Sequence, residues 1–395
     1  MRRLPDMTWH DWLGLTAAVL ALVAIVLAVW VARRQASGRL GHGAASAAPA
    51  TAAGEVLTGP DDEERPLVAF VANPSKPDVA ALRTQVVKAC SERYLPEPLW
   101  LETTVEDPGV GQAREAVERG AKLVVAVGGD GTVRAVAEAL VHTDVPMALL
   151  PLGTGNLLAR NLDIPVGDPP AAIAAALDGK DRTIDVGWIA VQRWAAADAE
   201  DPDEEVTGPA ADPDPDREHI FLVIGGVGFD AAMVASTDDA LKAKVGWIAY
   251  FVAGVQHLHG RRSRVRVRLD GRAWQDLRLR SLLVGNCGKL PGGLQLLPDA
   301  ILDDGWLDIA AIDTRGGVAG WAQLLGEVVL QGFGVRNPLP ARIGRIDHTR
   351  ARSVEMQLSG GEHVQLDGDV LGRVAQLAAR VDPGALVVRV PAPAS

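Results

Sequence analysis

A glycine-rich stretch around a single carboxylate, Gly128-Gly-Asp-Gly-Thr132, is where the residue types of this chain first suggest chemistry. Apolar residues 123–127 precede it, and an apolar run with helical spacing, residues 133–141, follows it. This order predicts a buried strand, a tight turn and the start of a helix. Glycines let the backbone approach a ligand closely, and a helix start presents unpaired N–H groups. The stretch is therefore typical of a phosphate site.

The glycine-rich stretch belongs to a longer alternation of strands and helices. This alternation predicts a parallel sheet with helices on both faces, which binds its ligand beyond the carboxyl ends of the strands. Strands are expected at residues 67–71, 99–101, 123–127 and 147–150. Polar or Gly-rich residues follow every one of them: Asn73, Thr104, Gly128 to Thr132, and Gly153 to Asn156.

The chain lacks the two common glycine-rich nucleotide-binding motifs, including the one whose lysine binds phosphate. Neither GxxxxGK[ST] nor GxGxxG after the first strand occurs, which argues against P-loop enzymes and dinucleotide oxidoreductases. Phosphate charge must then be met by backbone N–H groups, helix dipoles and a metal ion such as Mg²⁺, which prefers carboxylate oxygens. Phosphoryl transfer to an alcohol also needs a base. The acidic candidates are Asp130, Asp299, Asp303, Asp304, Asp308, Asp367 and Asp369.

Among these carboxylates, Asp130 stands out because glycines surround it. In a turn of this kind we expect that Asn or Ser could do any structural job that Asp does, so the carboxylate of Asp130 indicates a functional role. By contrast, we interpret Asp299 and Asp303 as turn residues and Asp308 as the start of a strand rather than as ligands.

The net charge of −11 is concentrated in two short segments. Ten acidic residues and one arginine lie between Asp198 and Glu218, and residues 61–64 are all acidic. The rest of the chain is close to neutral, so charge gives no support for a nucleic-acid partner. The two distant cysteines, Cys90 and Cys287, indicate neither a disulfide framework nor a zinc site.

The N-terminal segment has the composition of a membrane anchor. Residues 12–32 form an uncharged run of 21 residues, close to the ~20 that a helix needs to span a bilayer. More arginines follow this run than precede it, which favours a single-pass protein of the cell membrane with its main body in the cytoplasm. We predict a tail at 1–11, a transmembrane helix at 12–32 and a flexible linker at 33–65. A cleaved signal peptide is the alternative interpretation.

After residue 185 the pattern changes to short strands with few helices. We predict an α/β domain over 66–187 and a β-rich domain over 188–395, interrupted by an acidic, Pro-rich insert at 193–218 that we expect to be disordered. Arginines at every second position from Arg262 to Arg268 predict a strand with one basic face. That face is either a charge-protected edge or a surface for anionic lipid headgroups.

Taken together, the motifs resemble the diacylglycerol kinase catalytic family, the soluble-type bacterial lipid kinases related to sphingosine and ceramide kinases. The matching segments follow the family's order from about residue 67 to the C-terminus. They are Asn73-Pro74, Gly128-Gly-Asp-Gly-Thr132, Pro151-Leu-Gly-Thr-Gly-Asn156, Gly226-Val-Gly-Phe-Asp230, Pro298-Asp-Ala-Ile-Leu-Asp-Asp-Gly-Trp-Leu-Asp308 and Leu366-Asp-Gly-Asp369. NAD kinases and phosphofructokinases share versions of the Gly-Gly-Asp-Gly motif, so the ordered set carries the resemblance.

The resemblance implies an α/β nucleotide-binding domain followed by a β-sandwich domain, with a cleft between them. A last strand, residues 386–390, would return to the first domain. The implied activity is transfer of the γ-phosphoryl group of ATP, with Mg²⁺, to the hydroxyl of a diacylglycerol-like lipid in the bilayer.

The resemblance also implies roles for individual residues. Asp369 would be the proton-accepting base, and Asp130 would lie in the phosphate and metal network of the cleft. A structural Mg²⁺ would bind the Asp304 carboxylate and the backbone carbonyls of Ile301 and Trp306. The ATP-binding residues would be Asn73, Thr104, Gly128, Gly129, Asp130, Gly131, Thr132, Val133, Arg134, Gly153, Thr154 and Asn156.

The chain departs from the family pattern in three places. Asp369 stands where the family commonly has Glu, Pro77 lies in a loop where members often have Gly, and Leu157 replaces a frequent Asp. The change at Leu157 leaves open a kinase for sphingoid or other lipids, and the change at Asp369 leaves open a lipid-binding homologue without activity. An NAD kinase is a further alternative, although the membrane anchor and the turn at residues 151–156 do not suit a soluble dinucleotide substrate. The sequence also leaves open whether the chain forms a homodimer.

Overall fold

The computed structural model of the chain describes residues 65–195, 217–228, 263–289, 296–314 and 344–392. The predicted tail, membrane anchor and linker, and most of the acidic insert, lie outside these residues. No helix within the described ranges combines the length and the apolar character needed to cross a membrane.

Four parallel strands form one half of the sheet, in the order β4-β3-β1-β2. They are β1 (Val68–Ala72), β2 (Leu99–Glu102), β3 (Leu123–Gly128) and β4 (Met147–Pro151). The helices between and after them are α1 (Val79–Glu92), α2 (Val110–Glu118), α3 (Asp130–Leu140), α4 (Leu157–Asn161) and α5 (Pro169–Asp178).

Helices cover both faces of this parallel half because its strands are apolar on both sides. In β1, Ala69 and Val71 belong to a core that includes residues of α2 and α3, whereas Val68, Phe70 and Ala72 belong to a core that includes residues of α1 and α5. Strands buried on both faces need such two-sided cover.

The second half of the sheet is antiparallel. Its described strands are β5 (Lys180–Trp194), β6 (Glu218–Phe221), β7 (Ile224–Val227), β8 (Ser263–Leu269), β9 (Gln275–Leu279), β10 (Ser281–Gly285), β11 (Leu307–Thr314), β12 (Gly344–Ala351), β13 (Ser353–Leu366) and β14 (Asp369–Val390). A separate apolar core lies between these strands, with Val267, Met356 and Leu377 among its buried residues.

The long strand β14 joins the two halves. Most of it pairs antiparallel with β13 and β5, and near its C-terminal end Val388 pairs with Met147 of β4 in parallel. Strand β5 also continues across residue 187, where we predict the boundary between the domains. The halves therefore share strands rather than a linker.

The arginine-rich strand has the alternation that the sequence predicts. In β8, Val265 and Val267 are buried, while Arg266 and Arg268 pair with Asp276 and Glu355 on the neighbouring strands. Arg262 lies outside the described residues.

Candidate functional site

The start of α3 forms the first wall of the candidate site. Gly129 precedes the helix in an extended conformation, and its carbonyl accepts the N–H of Val133 at 3.0 Å. The N–H groups of residues 130–132 have no acceptor within the helix, and they point outward at the positive end of the helix dipole. This turn can therefore bind an anion through its backbone.

The turn after β4 lies directly against the turn after β3. A Cβ on Gly153 would come within 2.8 Å of the Gly129 Cα, so the close approach requires glycine. Asn156 has a φ of 48°, and its side chain closes the turn by accepting the N–H of Gly153 at 2.9 Å and donating to its carbonyl at 2.6 Å. The side chain of Asn156 is thus used inside the loop.

Asp130 connects the two turns. Its Oδ2 accepts the N–H of Asn156 at 2.9 Å, and its Oδ1 accepts the N–H of Leu157 at 2.6 Å. Our expectation that Asn or Ser could do any structural job of Asp130 is therefore wrong. Asn could accept only one of the two bonds, because its amide nitrogen would face the second N–H donor.

The surroundings of Asp130 raise the pKa of its carboxyl group to about 6. Burial is the largest cause, and the negative charges of Asp367 and Asp369 act in the same direction. The two backbone hydrogen bonds oppose this shift. A cation bound beside Asp130 would favour its ionised form, so its charge is coupled to what the site binds.

The second wall is the turn between β13 and β14. Asp367, with a φ of 51°, is buried, and its carboxylate accepts the N–H groups of Leu222, Val223 and Ile224 at 2.8, 2.9 and 2.9 Å. Burial raises the pKa of Asp367, although these bonds and the charge of Arg134 oppose the rise. Because three bonds hold this turn, the next carboxylate, Asp369, has a defined position.

Arg134 links the two walls. Its Nη1 donates to the Leu366 carbonyl at 2.6 Å, and its Nη2 donates to Asp369 Oδ2 at 2.7 Å. Asp369 lies so close to the start of α3 that a Cβ on Gly131 would be 3.4 Å from its Oδ2. The guanidinium that the resemblance places on ATP is thus bonded to the candidate base.

These walls enclose a cleft of about 380 Å³. It is lined by Asn73, Lys76, Gly129, Asp130, Gly131, Thr132, Gly153, Thr154, Gly155, Leu157, Asp367, Gly368 and Asp369. Lys76 is a cation of the cleft that our sequence analysis missed. The loop after β1 brings it beside Gly129, and its position just after Asn73-Pro74 was the available signal.

Several predicted ATP-binding residues do not line this cleft. Gly128 and Val133 are buried, in β3 and in the apolar core beneath α3. Thr104 Oγ1 accepts the N–H of Asp107 at 3.0 Å. Asp107 in turn lines a second cavity of about 620 Å³.

This second cavity meets the cleft at two residues, Gly131 and Asp369. Its lining combines charged or polar residues, among them Asp107, Arg114, Arg134, Glu138, Arg217 and His219, with apolar ones such as Val110, Ile220, Leu366, Val370 and Leu371.

The residues implied for a structural Mg²⁺ lie apart from the cleft lining, in the loop before β11. Asp304 Oδ1 accepts the N–H of Trp306 at 3.1 Å, and its Oδ2 lies 2.6 Å from Arg350 Nη2. Both carboxylate oxygens are therefore engaged, one of them by a cation. Within the described ranges, no three acidic, histidine or cysteine side chains gather in a way that could hold a metal. The Arg350 guanidinium therefore contacts a carboxylate oxygen that the implied Mg²⁺ would use.

The architecture and the site together define a class of protein. A parallel sheet carries two Gly-rich turns, and an antiparallel half supplies a carboxylate that faces them across a cleft. This arrangement is that of a two-part, nucleotide-dependent phosphotransferase.

Comparison with known proteins identifies the family. Residues 69–189 match the model of the diacylglycerol kinase catalytic domain, and residues 224–390 match that of the YegS C-terminal NAD kinase beta sandwich-like domain. A Pseudomonas aeruginosa protein named "probable lipid kinase YegS-like" is 33% identical over 312 residues, covering 76% of this chain and 88% of its own. A Pseudomonas fluorescens protein of the same name is 32% identical, covering 70% of this chain and 80% of its own.

A solved structure has the same fold. A diacylglycerol kinase from Bacillus anthracis str. Sterne aligns with a TM-score of 0.61 at 19% identity, covering 83% of this chain and 97% of its own. The chain therefore belongs to the YegS-like lipid kinase family and is an enzyme of the diacylglycerol kinase type. The predicted family and the predicted α/β fold with a C-terminal β-sandwich are confirmed.

Proposed function

We propose that this enzyme transfers the γ-phosphoryl group of ATP to the hydroxyl of a diacylglycerol-like lipid at the membrane. The observation that carries this proposal is the position of Asp369. It belongs to the antiparallel half, yet it lines the same cleft as the two Gly-rich turns and reaches the start of α3. A base at this point would meet an acceptor hydroxyl beside a bound phosphate.

The cleft offers three kinds of group to a triphosphate. The N–H groups at the start of α3 would donate hydrogen bonds to phosphate oxygens, and the Lys76 ammonium would add a positive charge beside them. Thr154, which is exposed in the second turn, would contribute a hydroxyl. Mg²⁺ bound with the nucleotide would neutralise phosphate charge, and Asp130 is the carboxylate that we expect to lie near it.

Asp369 suits the role of base in spite of its short side chain. The turn that carries it is fixed by the three N–H bonds of Asp367, and Arg134 holds its Oδ2. Oδ1 is then the oxygen available to the proton of the lipid hydroxyl. The turn that carries Asp369 already lies close to the start of α3. An aspartate can therefore reach the acceptor hydroxyl from a position where the resembling family commonly has the longer glutamate.

The membrane part of the proposal rests on the N-terminal sequence. An uncharged run at residues 12–32 would anchor the enzyme beside a substrate that stays in the bilayer. Membrane fractionation of the full chain, compared with a chain that begins at residue 65, tests this part. Recovery of the full chain in the soluble fraction rather than in the membrane fraction would contradict it.

The activity is tested by incubating the purified full chain with labelled ATP, Mg²⁺ and one acceptor at a time. The acceptors are a diacylglycerol, a monoacylglycerol, sphingosine and NAD. We expect label in phosphatidate from the diacylglycerol, and none when Asp369→Asn replaces the wild-type enzyme. Label in the sphingosine product would change the substrate class, and label only in NADP would replace the proposal with an NAD kinase. Absence of transfer to all four acceptors would replace the proposal with a lipid-binding protein that has no kinase activity.

A further inference from the structure

The loop before β11 carries a cluster of acidic groups with one arginine at its centre. Arg350 of β12 lies opposite Asp308 of β11 in the antiparallel register. Its Nε is 3.2 Å from Asp308 Oδ1. Its Nη2 is 2.6 Å from Asp304 Oδ2, 3.0 Å from the Asp299 carbonyl and 3.3 Å from Asp308 Oδ2. One guanidinium thus contacts two carboxylates and a backbone carbonyl.

This set of acceptors is one that a hard cation would otherwise use. Two carboxylates and a carbonyl oxygen are the groups that bind Mg²⁺ or Ca²⁺ in proteins. The guanidinium is permanently charged and presents several N–H donors in one plane, so it can satisfy them at the same time. A divalent ion at the same acceptors would lie against this positive charge and be repelled by it.

The rest of the loop is held by protein groups as well. Buried Asp185 accepts the N–H of Gly305 at 2.6 Å and that of Gly384 at 2.7 Å, and its own N–H donates to the Leu302 carbonyl at 2.7 Å. Arg182 pairs with Asp303 at 2.8 Å. These contacts attach the loop to β5 and β14 without any ion.

We propose that Arg350 is the built-in cation of this loop and neutralises the Asp304 carboxylate, the one side chain that the family resemblance gives to a structural divalent metal. The loop then folds in the absence of metal. This inference is independent of the proposed kinase activity, because it concerns the stability of the chain without nucleotide.

Thermal unfolding of the purified full chain without nucleotide tests the proposal. The wild-type midpoint should be the same in EDTA, in millimolar Mg²⁺ and in millimolar Mn²⁺. Arg350→Ala should lower the midpoint in EDTA, and Mn²⁺ or Mg²⁺ should restore part of the loss, because the acceptors then lack a cation. Arg350→Lys should lose less stability and should not respond to metal.

Arg268→Ala is the matched control. Arg268 has a similar exposure to Arg350 but pairs with one carboxylate, that of Glu355. Its removal should lower the midpoint less than removal of Arg350, and metal should not restore the loss.

A wild-type midpoint that falls in EDTA and recovers with Mg²⁺ would overturn the proposal. So would an Arg350→Ala variant that loses no more stability than the control, or one that metal does not rescue. If Arg350→Ala fails to fold, terbium luminescence of the wild-type chain decides instead. Tb³⁺ at this loop would be excited through the indole of Trp306, and such emission from the wild-type chain would also overturn the proposal.

Discussion

Two clusters of aspartates in this molecule have opposite surroundings. In the loop before β11, the guanidinium of Arg350 contacts the carboxylates of both Asp304 and Asp308. In the cleft, backbone N–H groups hold Asp130 and Asp367, and the described ion pair of Asp369 is with Arg134. In the first cluster one guanidinium contacts both carboxylates directly, whereas in the second only Asp369 has a described ion pair, although Lys76 also lines the cleft.

The comparison shows how aspartate side chains contribute to stability in the loop before β11 and to ligand binding in the cleft. Backbone N–H groups orient a carboxylate but carry no net charge, and burial raises the pKa of Asp130 and Asp367 in spite of these bonds. A cation brought by a ligand would favour the ionised forms of both carboxylates. A kinase that binds ATP with Mg²⁺ needs a site of this kind, whereas a structural loop is more stable when its carboxylates already contact a cation of the protein.

The largest effect is expected on the rate of lipid phosphorylation, from a change at Asp369. Asp369→Asn should lower the rate of lipid phosphorylation about 10²- to 10⁴-fold, because the amide cannot accept the hydroxyl proton. The thermal midpoint should hardly change, since the side chain is 58% exposed. Initial rates with labelled ATP measure the first effect, and Asp369→Glu serves as a control that keeps a base. Full activity of Asp369→Asn would show that the cleft works without this carboxylate.

The second largest effect is a dependence of stability on pH that arises from the raised pKa of Asp130. Native Asp130, with a pKa of about 6, binds its proton more tightly than the unfolded chain does. Wild type should therefore lose about 2 kcal/mol relative to Asp130→Asn as pH rises from about 4 to 7. Urea unfolding of both proteins, without nucleotide, at several pH values measures this difference. A stability difference that stays constant with pH, or one that changes in the opposite direction, would show that the pKa of Asp130 is not raised in the folded protein.

A third effect tests how closely the two Gly-rich turns must approach. Gly153→Ala should cost about 1–3 kcal/mol of stability, because its Cβ would lie 2.8 Å from the Gly129 Cα. Gly129→Ala is the paired variant. It has a φ of −94° and a nearest contact of 3.5 Å, so it should keep its stability while raising the KM for ATP. Equal loss of stability in both variants would argue against the specific contact.

The smallest effect is expected from the cation that the loop after β1 contributes. Lys76→Ala should raise the KM for ATP about fivefold, equivalent to about 1 kcal/mol, with little change in kcat. Lys88→Ala, on the exposed surface of α1 and paired with Glu92, is the control. If both variants change the KM equally, Lys76 does not contribute to the charge balance of the cleft.

Local sequence determined the elements that build the cleft. Continuous apolar runs and helical spacing were enough to predict strands and helices at β1, β3, β4 and α3, because burial and backbone periodicity act over short stretches. Glycine positions predicted the two turns for the same reason. The ordered motifs then identified the family, which the comparisons confirmed.

Tertiary structure alone decided which groups balance which charges. Asp130 bonds to the N–H groups of residues 156 and 157, Arg134 reaches across 235 positions to Asp369, and Arg350 reaches Asp304 from another strand. No local pattern encodes such pairs, because they depend on strand order and register. Electrostatic and hydrogen-bonding partners are set by distance in space, and the chain acquires those distances only when its two halves fold together.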